Sequence, residues 1–497
     1  MKFKKYIAAS MIALAGLTAC SDSFLDTDYT EYLDEEAAGE AAGKNPDVFL
    51  NGMWSWMVTA GQTSTSHDDF GYMGSLHATD MMGQDICMAA SHWFNFDYQL
   101  DNRMEAYRRT KCHWVNFYTM IAKANEIISL YPEGGETISQ KGLLGQAYAI
   151  RGLSYMHLIQ LYQFTIDKSG NINTDAPGVP LIYVDADGKT EEEIASAKGR
   201  NTVGVVFAQI EADLLKAVEN LESGYERPSK NYIDASVANG FLARYYLLSQ
   251  QWEKAAAAAK ARANYTIMDS SSSGLYDGFV TVNNVEWMWG FAHTTETQTT
   301  YASFFSMISN IAPGYAGMGY APRLIDAKLY SQIPEEDGRK KWFNGPEGDK
   351  NQPTAAAQLP YANVKFGHVN DWTDNYMYMR AAEMVLIEAE AYAHLNQGSK
   401  AAEVLKVLMN KRQPSWNKAT VTVEDVYLQR RIELWGEGFS FYDLKRLNKG
   451  IDRSYEGNNH LAGYDIKVDA HDVRWIYQIP LSEIQENKLI NAEDQNP

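Results

Sequence analysis

The sequence predicts a predominantly α-helical protein, a scaffold of paired helices interrupted by long irregular, loop-rich insertions. Three observations lead there. Apolar residues recur at three-and-four spacing in several separate runs. Pairs of such runs are joined by turns of only a few residues. The stretches between pairs are rich in Gly, Ser, Thr, Asn and aromatics and lack the helical period. With 497 residues, 45 % of them hydrophobic, the chain can bury a substantial core.

The elements follow in order. From His113 to Tyr131 an apolar stripe runs through Trp114, Phe117, Tyr118, Ile121, Ala122, Ala124 and Ile128, and Pro132 with Gly134-Gly135 stops it. Ser139 is the expected N-cap of the next helix, which reaches about Gln163. Its small residues Gly145, Ala147, Ala149 and Gly152 permit close contact with a neighbouring helix. Val203–Leu221 is a third amphipathic run. Asp234–Ser249 is a fourth, capped by Asp234. The turn Gln250-Gln251-Trp252-Glu253-Lys254-Ala255 leads into an alanine-rich helix. An aromatic in the turn, with a small residue three places on, resembles the inter-helix turn of a tetratricopeptide (TPR) repeat. Met379–Leu395, Asn396-Gln397-Gly398 and Ser399–Met409 repeat that outline. In such arrays each helix pair leaves an apolar face that only another pair can cover. The TPR-like scaffold therefore spans roughly 105–263 and 376–450. A loop-rich part spans roughly 66–100 and 265–375, and within it Asn283–Trp289 reads as a strand and Asp326–Tyr330 as a short helix. Segments 164–200 and 451–480 also read as irregular. Loops this long in a compact protein usually carry function.

The first residues read as an export signal. Met1–Lys5 is basic, and Tyr6–Leu17 is apolar but too short to span a bilayer core, which needs about 20 residues. Leu17-Thr18-Ala19-Cys20 resembles a lipobox, in which the cysteine takes a diacylglycerol and becomes the first residue. Residues 1–19 are thus expected to be a signal peptide, and 20–46 a lipidated tether with eight acids and one Lys after Cys20. Residues 47–497 follow as a single domain.

Net charge is −19, so nucleic-acid binding, which relies on Lys and Arg against phosphates, is not expected. Beyond Cys20 only Cys87 and Cys112 remain. They could pair in an oxidising compartment or stay as buried free thiols. There is no His-Glu-x-x-His, no Gly-x-Ser-x-Gly and no phosphate loop. No metal or other cofactor is expected. Calcium is conceivable among so many acids, but no Asp-x-Asp-x-Asp-Gly spacing supports it.

Several blocks together resemble the SusD/RagB family of outer-membrane nutrient-binding lipoproteins. They are Phe24-Leu25-Asp26 with Leu33–Glu36, Gln146–Tyr155, Gly178-Val179-Pro180-Leu181, Tyr378–Glu383 with Glu388–Ala391, and Arg430–Leu434 with Glu437-Gly438, Phe441–Leu444 and Arg446. Ile479-Pro480, Glu483-Ile484, Asn487 and Gln495–Pro497 close the set. Gln146 stands where the family usually has Glu. The resemblance implies a SusD-like fold and a lipid-anchored protein on the cell-surface face of the outer membrane of Bacteroidetes-type bacteria. It implies that the protein captures an oligosaccharide and delivers it, without catalysis, to a SusC-like TonB-dependent transporter. A peptide-binding RagB-type protein and a lipid-anchored glycoside hydrolase are the alternatives. Arg431, Glu433, Glu437, Asp443 and Arg446 alternate in sign and are expected to form an ion network that fixes helix register.

Sugar rings stack an apolar C–H face on Trp or Tyr, while polar side chains take the hydroxyls. On that ground the expected ligand-binding residues are Asp80, Asp85, Trp93 and Phe94 in an early aromatic and polar loop, Trp287 in the strand, and Tyr301, Tyr315 and Tyr320 in a Gly- and Tyr-rich loop. The glycines at 314, 317 and 319 would let the backbone approach a ligand closely.

Overall fold

The helices form where the apolar period places them, and each of the long ones packs against its neighbour in the chain. The computed structural model describes residues 47–298, 300–367 and 371–497. The signal peptide, Cys20 and the acidic tether lie outside the described residues. Residues Phe49–Pro497 form one compact unit.

In chain order the principal elements are α1 (Asp47–Val58), α2 (Gly71–Met81), β1 (Ile86–Met88), α3 (Arg108–Ser129), α4 (Ile138–Tyr162), α5 (Val203–Leu221), α6 (Ala235–Leu248) and α7 (Trp252–Ala258). After them come β2 (Trp287–Phe291), β3 (Arg323–Ile325), β4 (Tyr376–Arg380), α8 (Ala381–His394), α9 (Gly398–Arg412), α10 (Val423–Glu433) and α11 (Ser440–Arg446). The pair β5 (Ile451–Asp452) and β6 (Lys467–Val468) follows. Packing runs from α3 to α4, then α5, α6, α7 and α8, and α8 packs on both α9 and α10. Helical pairs therefore cover one another in sequence order, as an amphipathic helix requires.

Two helix starts show how local chemistry sets boundaries. Asp234 caps α6 as expected, accepting a hydrogen bond from the Val237 N–H at 2.9 Å. The cap of α4 is Thr137 rather than Ser139. Its hydroxyl accepts from the Gln140 N–H, and the Gln140 side chain accepts from the Thr137 N–H, closing a capping box. A Thr with Gln three places on outcompetes a lone Ser. From Gly142 onward every residue of α4 is buried. A β-carbon added at Gly145 would lie 2.6 Å from Leu221 Cγ of α5, and one at Gly152 would lie 3.0 Å from Leu214. Those glycines are what let α4 and α5 pack so closely.

The loop-rich part is tied down by two-stranded pairs. β1 pairs antiparallel with β3, Cys87 opposite Leu324. β2 pairs antiparallel with β4, Trp287 opposite Arg380, with register shifts between Trp287 and Gly290. Trp287 and Trp289 are both fully buried. Trp289 packs on Trp54, Phe241 and Tyr378 and donates its indole N–H to the Asn231 carbonyl. Cys87 and Cys112 are free and buried. Among the described residues no helix is long and apolar enough to cross a membrane.

The charged motif residues divide among three destinations. Glu433, fully buried, accepts from Arg380 at 2.6 Å, Arg412 at 2.8 Å and Arg339 at 3.3 Å. Arg380 also pairs with Glu286 and Glu437, Lys365 with Glu437, Arg412 with Glu286, and Arg339 with Asp337. Four cations thus face four carboxylates, and the cluster is neutral as buried charge must be. Asp443 pairs instead with Arg430 and Arg446, and Arg446 reaches Glu390 on α8. Arg431 turns away to Asp85. The expectation of a single network over α10 and α11 is corrected, because successive residues of a helix face different neighbours.

Candidate functional site

Four of the eight expected ligand-binding residues lie in the core, and each has a structural occupation. Asp80 is near the end of α2, a helix buried along its whole length. Its carboxylate accepts from the Gly438 N–H at 2.6 Å and the Ser440 N–H at 3.0 Å, capping α11 from outside that helix. Burial pushes the Asp80 carboxyl up to about 7, against the pull of those donors. Asp85 is held by Arg431, whose Nε lies 3.0 Å from it. Phe94, at φ 68°, packs edge-on against Phe70 and His77 beneath Arg109. Trp287 sits in β2, enclosed on both faces. Phe94 nonetheless borders the cleft beside Trp93 and Asp85 borders a second cleft with Arg431; local composition marked these four, but burial gives each of them a structural role as well.

The other four converge. Tyr315 is the hub, with ring centroids 5.0 Å from His92, 5.8 Å from His67, 5.8 Å from Tyr301, 6.1 Å from Trp93 and 6.3 Å from Tyr320. Its hydroxyl hydrogen-bonds His67 Nδ1 at 2.8 Å. His67 stacks on Trp93, His92 tilts against Tyr320, and Tyr301 lies 5.6 Å from Trp372. Tyr301 and Tyr320 are 42 % and 54 % exposed, so this assembly is a surface platform and not core.

Local chemistry builds it from four segments. The Asp69 carboxylate accepts from the Thr63 N–H, Thr63 hydroxyl and Ser64 N–H, closing the turn that carries His67. The β1–β3 ladder extends through the Ala89 N–H to the Pro322 carbonyl, which brings Ser91–Phe94 beside residues 315–320. Arg323, fully buried, donates to the Trp93 carbonyl at 3.2 Å. The third segment is held by Ser306, whose hydroxyl accepts from the Tyr315 N–H while its carbonyl accepts from the Ala316 N–H. A β-carbon at Gly314 would meet Ser306 Cα at 2.7 Å, and one at Gly317 would overlap the Ala312 carbonyl. These two glycines serve chain-to-chain packing, so the expectation that they admit a ligand is replaced by a structural reason. The fourth segment, at Trp372, carries a positive φ of 61°.

Beside Trp93 opens a cleft of about 490 Å³. Phe96 and Tyr107, 57 % and 45 % exposed, give it apolar walls, and Asn95, Asp101 and Arg108 give it polar atoms. Aromatic faces with a few convergent polar groups are the usual makeup of a small-molecule site. Two other carboxylates line the cleft, Asp68 and Asp97. Both are buried and both pair with Arg109, and Asp68 also pairs with Arg108. Burial raises the Asp68 carboxyl, yet Arg109 and Arg108 outweigh it and hold the group below its usual value. Burial keeps Asp97 above its usual value despite Arg109.

His67, His92, Trp372, Phe96 and Tyr107 were not singled out from sequence. His92 had a signal, its adjacency to Trp93. His67 and Trp372 had none, because only the tertiary fold brings them to Tyr315 and Tyr301.

Comparison with known proteins gives a consistent result. A model of the SusD family matches residues 287–497, and a second, described as starch-binding associating with outer membrane, matches residues 47–247. SusD-like protein P2 of Formosa agariphila is 25 % identical over 404 residues, covering 72 % of this chain and 74 % of the relative. A SusD-like carbohydrate binding protein from Bacteroides vulgatus is 27 % identical with a TM-score of 0.75, covering 92 % of this chain and 98 % of its own. A laminarin binding SusD-like protein shares the fold at a TM-score of 0.66 and 17 % identity, over 91 % of this chain and 99 % of its own. The helix-dominated fold expected from the sequence is the one these structures share, and the chain belongs to the SusD-like family.

Proposed function

We propose that this protein captures an oligosaccharide on the aromatic platform around Tyr315 and delivers it to a SusC-like TonB-dependent transporter, itself remaining chemically unchanged. One observation carries the reading: Trp93 and, some 200 residues later, Tyr301, Tyr315 and Tyr320 share one surface beside a cleft with polar walls. Flat apolar rings with hydroxyl and amide neighbours match a sugar's C–H face and hydroxyl rim. The Bacteroides vulgatus relative is described as carbohydrate binding, which supports the same ligand class. The outer-membrane association in the description of the matched family supports a surface location, with the lipid on Cys20 as anchor. Residues 1–19 are the signal peptide in this reading, 20–46 the tether and 47–497 the binding domain.

A binding role without catalysis is supported by the cleft's buried acids. Asp68 and Asp97 share the Arg109 guanidinium, the arrangement of a structural ion pair and not of two carboxylates set on either side of one glycosidic bond.

Isothermal titration of the purified protein against a panel of polysaccharides and peptides tests the reading. Binding of at least one glycan, weakened about tenfold or more by Tyr301→Ala or Tyr320→Ala, is expected; tenfold corresponds to about 1.4 kcal/mol. Binding to peptides alone would assign the RagB-type alternative. Release of new reducing ends would overturn the non-catalytic reading.

A further inference from the structure

Behind the platform, three side chains of different chemistry meet in the interior. The Cys87 sulfur on β1 lies 3.7 Å from His460 Nε2, and that nitrogen lies 3.2 Å from Asp326 Oδ2. All three donor atoms fall within 4.8 Å of one another, and all three residues are buried. We propose that Cys87, Asp326 and His460 form a binding site for one structural zinc-class divalent cation.

The geometry fits such an ion. Zinc binds thiolate sulfur at about 2.3 Å and imidazole nitrogen or carboxylate oxygen at about 2.0–2.2 Å, so tetrahedral ligands stand roughly 3.3–3.6 Å apart. The separations of 3.7 and 3.2 Å need only small adjustments, and the Cys87 sulfur and the Asp326 oxygen, within 4.8 Å of each other, must close by up to about 1.2 Å. The donor set of one thiolate, one imidazole and one carboxylate suits a borderline-soft ion and disfavours calcium or magnesium, which take oxygen. The ligands offset the ion themselves, one thiolate and one carboxylate against a divalent cation, while the buried Arg453 guanidinium nearby is held by the Tyr98, Met81 and Gly83 carbonyls. On binding, the Cys87 S–H proton leaves to solvent and the imidazole binds through the neutral Nε2 lone pair.

The surroundings hold the ligands as metal sites generally do. Tyr98 hydrogen-bonds His460 through Nδ1, which leaves Nε2 facing the other two donors. Tyr455 donates to Asp326 Oδ2 at 2.7 Å, and the Leu329 N–H fixes the other oxygen at 2.8 Å. The Asn459 side-chain oxygen, 3.4 Å from the Cys87 sulfur, stands where a fourth ligand would come from. A bound ion would staple three distant stretches of chain. Two of them lead toward the platform, because Cys87 lies on β1, whose chain runs on to Trp93, and Asp326 directly follows β3, which Tyr320 precedes.

The test uses the mature chain stripped with a chelator and then titrated with Zn²⁺ and, separately, with Co²⁺. One equivalent of zinc by elemental analysis is expected, with an upward shift in Tm that saturates at that equivalent. Cobalt is expected to show a thiolate-to-metal charge-transfer absorption. Cys87→Ser keeps the size and removes that absorption. His460→Gln, a second conservative variant, weakens zinc binding at least tenfold. Substoichiometric zinc with no shift in Tm, or a charge-transfer absorption that survives in Cys87→Ser, would overturn the site; the three residues would then be a proton-linked hydrogen-bond network. The readout is independent of glycan binding, so either proposal can fail without the other.

Discussion

Replacing Glu433 with Gln tests the buried ion cluster most directly. Among the described residues Glu433 is the one group of the cluster that receives three guanidinium groups, with contacts of 2.6 Å from Arg380, 2.8 Å and 3.0 Å from Arg412, and 3.3 Å from Arg339. Gln keeps the shape and one acceptor, but turns an amide N–H₂ toward donors and removes one of the four negative charges. The cluster then carries an excess positive charge with no exposure to water. Breaking a buried pair by removing one partner costs about 3–5 kcal/mol, of the same order as much of a domain's net stability. Urea unfolding followed by tryptophan fluorescence should show the midpoint fall with the slope unchanged. The pH dependence has a defined sign. Burial raises the Glu433 carboxyl, but Arg412 and Arg380 outweigh it and hold the group well below 4.5. Its stabilisation is therefore fully present above the unfolded value near 4.5 and is lost as pH falls below it. Wild type should lose stability on acidification more steeply than Glu433→Gln. A loss below about 1 kcal/mol for Glu433→Gln, or parallel acid profiles, would refute the claim that this cluster fixes α8, α9 and α10.

Further outcomes follow from the same structure. Asp80→Ala should lower stability by roughly 2–4 kcal/mol, because two buried N–H donors at the start of α11 lose their acceptor. If glycan titration of the folded variant instead showed direct loss of affinity with stability intact, Asp80 would be a ligand residue after all. Gly145→Val should destabilise by about 1–3 kcal/mol through overpacking against Leu221, read by the same urea assay. Tyr320→Ala, at an exposed site, should change stability by less than about 0.5 kcal/mol while weakening glycan binding, and circular-dichroism melting with calorimetry separates the two effects.

Helix existence was legible in the sequence because amphipathic periodicity is local: α5 spans Val203–Leu221 as its stripe predicts, and α6 starts at the cap Asp234 predicts. The small residues of α4 likewise announced a close helix contact. Chemistry-bearing residues could be recognised by type, but their exposure could not. Asp80 and Tyr320 both read from sequence as loop residues, although Asp80 lies in α2. One is capped into the core by Gly438, some 360 residues away, and the other projects into solvent. Burial is a sum over non-local neighbours, and no window of sequence contains that sum. The same holds for the platform and for the Cys87, Asp326 and His460 cluster, whose members are joined only by strand pairing and loop closure. Composition and period determined what this chain is made of; tertiary packing decided which aromatics meet water and which charges meet one another.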